Sequence, residues 1–429
     1  MTVSTVVGFA GMTHLGLVSC VAAAEKGFRA VGFDSDPARI AALKRGDLPV
    51  SEPQLDSLAT KNAGRLTFTA SAEDLSECDV IYVAPDVPTD DQGGSELAPV
   101  DALLDIVFDA ARGDAVIVVL SQVPPGFTRS RQRAGRAVHY QVETLIFGRA
   151  VERALQPERY IVGCAHPSQP LPPAFANFLG AHDCPILTMR YESAELAKIS
   201  INMCLVASVS TANTLAELCE KIGADWSEIV PALRLDRRIG QYAYLSPGLG
   251  ISGGNLERDL ATVCKLADRH HTDAGVVRAW LANSRHRMGW AARTIRLALL
   301  DASPDAVIAV WGLAYKENTR SVKNSPALAT ISQLAGVRFK VHDPLVPASV
   351  VARDGVEAAD DPLAAARGAD ALMILTPWPQ YRDVAPTTIA AAMKGRVVLD
   401  PYAMLDHEAS AMAALEIYTL GRLPAHPGH

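Results

Sequence analysis

From Tyr191 to Ile222 the chain runs without a single glycine or proline, in a composition that favours helix. At 1.5 Å per residue such a helix spans roughly 45 Å. That is too long for a surface helix of one small domain, so the segment predicts a spine joining two bodies. The segments on either side must then bury cores of their own, and 429 residues are enough for two or three domains.

Both flanks alternate strand and helix patterns. Residues 3–9 form a β-branched run ending in glycines, residues 16–26 read as a helix of small residues, and residues 28–33 read as a second strand. Asp36 then fits as the N-cap of a helix with Pro37 in its first position. Further strands are expected at 66–68, 80–84, 115–120 and 160–162. After the spine comes a mixed helical region, broken by the glycine-rich stretch 247–254 and helical again to about residue 300. A second series starts at Ala306, with strands expected at 306–311, 338–342, 371–375 and 397–399. Alternating strands and helices build mostly parallel, doubly wound sheets. The expected fold is therefore α/β: two Rossmann-like doubly wound domains joined by a long central helix, with boundaries at 1–190, 191–300 and 301–429.

Half of the residues are hydrophobic, a fifth are charged, and the formal charge is −7. That balance argues against nucleic acid or an anionic membrane as partner, since both need a basic surface. An anionic substrate needs only a local basic pocket. The seven cysteines (Cys20, Cys78, Cys164, Cys184, Cys204, Cys219 and Cys264) show no CxxC spacing. They read as buried free thiols of a reducing cytoplasm. No metal site is expected, His270-His271 reads as a helix surface pair, and the end 426–429 as a disordered tail. No apolar run is expected to reach membrane-spanning length. Leu17-Val18-Ser19-Cys20 looks like a lipoprotein cleavage site, but no basic residue precedes it and it lies inside another motif. A cytoplasmic location is expected.

That other motif is Gly11-Met12-Thr13-His14-Leu15-Gly16, which follows the first strand and opens the first helix. It occupies the position of a dinucleotide-binding G-x-G-x-x-G loop, with Thr13 in place of the central glycine. In such a loop the first glycine makes the tight turn, the second admits the pyrophosphate, and the third packs helix against strand. Asp34, ending the second strand, is placed to bind the adenosine ribose and favours NAD over NADP. Arg39, a turn into the next helix, is placed to lie against adenine. The alternative is an α/β domain with glycines at its turn, which Thr13 strengthens.

Six further segments, taken in order, resemble the UDP-glucose/GDP-mannose dehydrogenase family almost end to end. They are Asp47-Leu48-Pro49-Val50-Ser51-Glu52-Pro53, Leu120-Ser121-Gln122-Val123-Pro124-Pro125-Gly126, Ala194-Glu195-Leu196-Ala197-Lys198 with Asn202 and Asn213, Asp236-Arg237-Arg238-Ile239-Gly240, Pro247-Gly248-Leu249-Gly250-Ile251-Ser252-Gly253-Gly254, and Gly312-Leu313-Ala314-Tyr315-Lys316 with Asn324-Ser325-Pro326. The resemblance implies an N-terminal NAD-binding domain, a central helix pairing two subunits into a homodimer, and a C-terminal domain holding the nucleotide sugar. It implies oxidation of a C6 alcohol to a carboxylate with two NAD, through a cysteine thioester, and a place in polysaccharide biosynthesis.

Carried over residue by residue, the resemblance implies that Lys198 and Asn202 hold a water and the developing oxyanion. They are four apart and so share one helix face, and an ammonium beside an amide suits an alkoxide. The bland alternative for Lys198 is a solvated helix lysine. Asp259 matches a water-activating aspartate, or is an acid favoured by a helix dipole. Glu143 matches an acid near the reacting centre. Gly11, Thr13, Gly16, Asp34, Arg39, Ser121 and Arg258 fall in the cofactor set. Arg238, Gly250, Tyr315 and Lys316 fall in the substrate set, where Arg238 and Lys316 read equally well as surface charges.

Several positions depart from the family pattern. Asn255 stands where the family has its nucleophilic cysteine, and a carboxamide nitrogen with a delocalised lone pair is no nucleophile. Cys264 lies nine residues on, and Ser252 has no evident base. Phe147 replaces a glutamate, Gln122 a threonine, Lys323 an arginine, and Arg320-Ser321 an acidic pair. Tyr402 stands where a substrate-binding arginine would be, which removes a bidentate anion clamp. Three functions follow as expectations. The first is an NAD-dependent nucleotide-sugar dehydrogenase limited to a two-electron step. The second is a catalytically inactive homologue that binds NAD or nucleotide sugar as a regulatory or structural partner. The third is an epimerase that oxidises its substrate transiently.

Overall fold

The computed structural model describes residues 5–88 and 94–424, in two compact units, Met1–Ile201 and Asn202–His429. The expected tail at 426–429 lies outside the described residues. In the first unit eight strands form one sheet: β1 (Val6–Ala10), β2 (Arg29–Phe33), β3 (Leu66–Thr69), β4 (Val80–Val83), β5 (Val116–Val119), β6 (Ala137–Gln141), β7 (Tyr160–Cys164) and β8 (Ile186–Arg190). Their spatial order is β3-β2-β1-β4-β5-β6-β7-β8, parallel except where β7 runs against β6. β4 and β5 are buried at every position, as strands covered by helices on both faces must be.

The second unit repeats the plan in six parallel strands: β9 (Val307–Trp311), β10 (Arg338–His342), β11 (Val356–Ala358), β12 (Ala371–Ile374), β13 (Val397–Leu399) and β14 (Glu416–Tyr418), in the order β11-β10-β9-β12-β13-β14. The repeat extends to atoms. Gly11 N donates to Phe33 O at 2.8 Å, and Gly312 N donates to His342 O at 2.8 Å. Asp34, after β2, accepts from the Met12 amide at 2.8 Å, while Asp343, after β10, accepts from Leu313 and Ala314 at 2.7 and 3.0 Å. In each unit the chain reverses direction on either side of its first strand. That reversal is the crevice where doubly wound sheets bind ligands.

Every strand expected from the pattern is present with its ends within two residues, except that β1 begins at Val6, three residues after the expected start at residue 3, which lies outside the described residues. Four strands, β6, β8, β11 and β14, did not register in the pattern. β11 and β14 are three residues each, and β8 is an edge strand with no fully buried position, so neither a run nor an alternation marks them.

The central helix, Tyr191–Ile222, is one continuous element of 32 residues, and the division between the two units falls within it. One expectation needs correcting here. By length and composition this helix is apolar enough to cross a membrane, with a mean hydropathy of 1.3 over its most apolar stretch. The core helix of a globular fold meets the same criteria, and here the side chains of Asn202 and Asn213 are buried and bonded to neighbouring segments of the second unit. Cys204 also departs from expectation. It is exposed, because two residues along a helix turn it about 200° away from buried Asn202.

Two histidines of the first unit are buried among aromatic rings. His139 sits edge-on to Phe175, and His182 to Tyr160 and Phe178. Burial pulls both imidazoles from 6.5 down to about 4, and the Lys26 ammonium adds to the effect at His182. An unfolded chain takes up protons at these sites below pH 6.5 while the folded unit does not, so stability falls as pH drops toward 4. Urea midpoints should therefore decrease from pH 7 to pH 5, above the range where most carboxylates titrate. The decrease should be smaller in His139→Phe, and an identical slope in that variant contradicts the assignment.

Candidate active site

The glycine turn after β1 has the geometry its sequence implies. Gly11 adopts φ +96°, and a Cβ on Gly16 would lie 1.9 Å from Gly11 O, so the first helix (His14–Glu25) packs onto the strand only with glycine there. Asp34 is buried at the end of β2. Its carboxylate accepts from Met12 N, from Asp36 N at 3.0 Å and from Arg39 Nη1 at 2.7 Å. Arg39, expected against adenine, pairs with the acid expected to take the ribose. Thr13, at the N-cap of the first helix, accepts from the Asp86 amide through Oγ1 at 2.8 Å. Ser121 is buried and donates its hydroxyl to Pro85 O, tying the loop after β5 to the loop after β4.

Beside this turn Glu52 is buried and holds three donors. They are His14 Nε2 at 2.9 Å and the amides of Gly148 and Ala150 at 2.9 and 3.1 Å. The His14 ring stacks on Phe147 with centroids 4.3 Å apart. Glu52 thus fixes the loop that carries Glu143 and Phe147.

Lys198 is not the solvated helix lysine of the bland alternative. Its Nζ donates to Glu143 Oε2 at 3.2 Å, and both side chains are largely shielded from solvent. One turn earlier Glu195 is fully buried and accepts from the amides of Gly126 and Thr128 at 2.5 and 2.8 Å, which docks the Pro-Pro-Gly loop on the helix. Burial pushes the Glu195 carboxyl up, against the pull of those amides.

In the second unit Asn202, one turn beyond Lys198, donates its amide to Asp259 Oδ2. Asp259 also lies 3.6 Å from Arg258 Nε, and both side chains are almost wholly buried. Asp259 is therefore bound inside the fold rather than lying along an exposed first turn, and Arg258 faces it. Asn213 accepts from the Gly248 amide at 2.8 Å and so holds the glycine-rich loop. Within that loop Gly250 has φ +87°, with Ser284 O 2.7 Å from where a Cβ would be, and Gly253 has φ +77° against the Tyr315 ring. Asn324 donates to Gly253 O at 2.8 Å and to Glu257. Burial pushes the Glu257 carboxyl and the Tyr315 hydroxyl up.

Asn255 is exposed at the first position of the helix Asn255–His270. All seven cysteines are free, and Cys264 sits on the same helix nine residues later, partly buried against the cluster of Val206, Ile251, Leu260 and Val277. Lys316 lies over the Tyr315 ring, its Nζ 5.7 Å from the centroid. Arg238 is highly exposed and pairs with Asp236 at 2.6 Å. At the C-terminal edge Asp400 is buried, with one oxygen accepting from Leu405 N at 2.8 Å and the other without a partner among the described residues.

Residues 5–171 match the NAD binding domain of the UDP-glucose/GDP-mannose dehydrogenase family, residues 192–285 its central domain, and residues 309–407 its UDP binding domain. The chain belongs to this family. It is 31% identical to a UDP-glucose 6-dehydrogenase of Pseudomonas aeruginosa, with 91% of each chain covered. It is 30% identical to the UDP-glucose 6-dehydrogenase TuaD of Bacillus subtilis, covering 96% of this chain and 92% of that one. A UDP-glucose dehydrogenase structure from Pyrobaculum islandicum superposes with TM-score 0.82 at 28% identity, covering 93% and 94% of the two chains. The chain is thus a member of an NAD-dependent nucleotide-sugar dehydrogenase family, with that family's NAD binding and UDP binding domains, and its two sheets are the Rossmann-like halves of that fold.

Two contacts at the candidate site were not read from the sequence. Asp86 follows β4 at the crevice, where the rule that doubly wound sheets bind ligands beyond the carboxyl ends of their strands would have flagged it. Glu195 was read only as part of a motif. Glu195→Ala leaves two loop amides without an acceptor and should cost about 2–4 kcal/mol. Thermal or urea unfolding checks this, and a variant as stable as the parent contradicts it.

Proposed function

We propose that this chain oxidises the C6 alcohol of a nucleotide sugar by two electrons and stops at the aldehyde. Asn255 carries the reading: a carboxamide stands at the head of its helix, where the family places a thiol. The Gly11–Gly16 turn and Asp34 fit NAD, which supplies a hydride acceptor when bound. The chain's own residues do the rest. Lys198 and Asn202 stabilise the alkoxide as it develops, and the Glu143 or Asp259 carboxylate takes the hydroxyl proton. The C6–H bond breaks with its electron pair leaving as hydride, the O–H proton goes to the carboxylate, and C6 becomes an aldehyde. Attack on that aldehyde would need a nucleophile, and Asn255 has none to offer.

In the proposed organisation residues 1–190 hold NAD through Gly11, Thr13, Gly16, Asp34, Arg39 and Ser121. Residues 191–300 form a central domain, and residues 301–429 hold the nucleotide sugar through Tyr315 and Lys316, with Arg238 and Gly250 from the central loops. Two copies pair through the central helix. Leu215, Leu218 and Ile222 support this pairing, since they expose apolar side chains along one helix face. The location proposed is the cytoplasm.

A second reading is a non-catalytic homologue that binds NAD or nucleotide sugar as a regulatory or structural partner. The stacking of Phe147 over His14 beside the cofactor turn favours it.

One assay separates these readings. Incubated with NAD and a UDP-hexose, the protein should give one NADH per sugar consumed and a product trapped by hydrazine. Two NADH with a carboxylate product overturns the two-electron step. No NADH with any nucleotide hexose favours the non-catalytic homologue.

A further inference from the structure

The head of the first helix already carries an anion. Asp86 Oδ2 accepts from the His14 amide, the helix's first N–H, at 2.9 Å. The Asp86 amide in turn donates to Thr13 Oγ1 at 2.8 Å. These two bonds form a reciprocal clasp between the loop after β1 and the loop after β4. The helix has no acidic residue in its own first turn, so its positive end is satisfied by a carboxylate from across the crevice. A dinucleotide's diphosphate binds at the same place, where unpaired amides and the helix dipole concentrate positive potential.

We propose that Asp86 is an affinity-determining residue of the cofactor site, its carboxylate competing with the NAD diphosphate for the head of the first helix. The proposal rests on the glycine turn being the diphosphate's seat. Two anions cannot share one amide, and a diphosphate brought beside a retained carboxylate is repelled by it. NAD therefore binds as the clasp opens and Asp86 turns out to solvent, and the free energy of that opening is subtracted from its affinity. Asp86 is exposed in the closed state, so it can leave without passing through packed core. The clasp also gives Thr13 a purpose. A glycine there would have no hydroxyl to receive the Asp86 amide, and the clasp would be left with only its His14 bond. Thr13 and Asp86 act as one device.

The competition is confined to the diphosphate, which makes it separable from every other contact the cofactor makes. In the full-length protein, NAD, ADP and adenosine are titrated calorimetrically into the parent, Asp86→Asn and Asp86→Ala. NAD and ADP should bind Asp86→Ala tighter by about tenfold or more, while adenosine should be unchanged. Asp86→Asn keeps an acceptor for the His14 amide but loses the charge, and should fall between. Thr13→Gly releases the same clasp from its other side and should move ADP in the same direction, so the test survives if one variant fails to fold. Equal ADP affinity in the parent, Asp86→Ala and Thr13→Gly overturns the proposal, whether that affinity is measurable or absent. A gain for adenosine as large as that for ADP also overturns it, because the effect would then not be electrostatic at the diphosphate.

Discussion

A parallel strand pair cannot be closed by a tight turn, so each connection must travel back along the sheet before the next strand begins. That constraint arranges the chemistry of this chain. Both sheets feed their loops to the carboxyl ends of the strands, and in both the order reverses beside the first strand, at β1 and again at β9. The same solution appears twice at the reversal: a glycine with positive φ ends the first strand, and an acid after the second strand holds the amides that follow it. Gly312 is as strictly required as Gly11, since a Cβ there would lie 2.3 Å from Thr376.

Around these turns, polar groups taken out of water are paired rather than left open. Glu52 binds a ring nitrogen and two amides, Glu195 binds two amides, and Asp259 binds an amide and faces a guanidinium. Breaking one member of such a set exposes the others to an apolar surrounding, which is why such networks hold their geometry closely. The cost falls on adaptability. Residues that could face a ligand, Asp34, Arg39, Thr13 and Ser121 among them, are engaged with one another or with the backbone. A ligand entering the crevice has to displace internal bonds rather than water alone.

Much of this was legible in the sequence for a simple reason. Apolar runs such as β4 and β5 are buried on both faces, and Gly11, Gly250 and Gly253 sit where φ is positive, so composition and conformation coincide. Lys198 and Asn202 were legible because helix spacing fixes a shared face. What stayed hidden was pairing between distant segments. Nothing in the local sequence says that Asp86 meets His14 or that Glu52 meets Gly148, because those contacts depend on which segments become neighbours in the fold. Cys204 was misread for the opposite reason: its apolar neighbours suggested burial, while its angular position on the helix sets it outside.

The reaction proposed for this chain turns on Asn255, a carboxamide standing where a nucleophile would have to add to a carbonyl. The most direct measurement supplies the carbonyl ready-made. A nucleotide 6-aldehydo-hexose presented with NADH should be reduced to the alcohol, which shows that the aldehyde reaches a working site. The same aldehyde presented with NAD should give neither NADH nor carboxylate. Stoichiometric NADH and a uronic acid product in that second reaction would contradict the account.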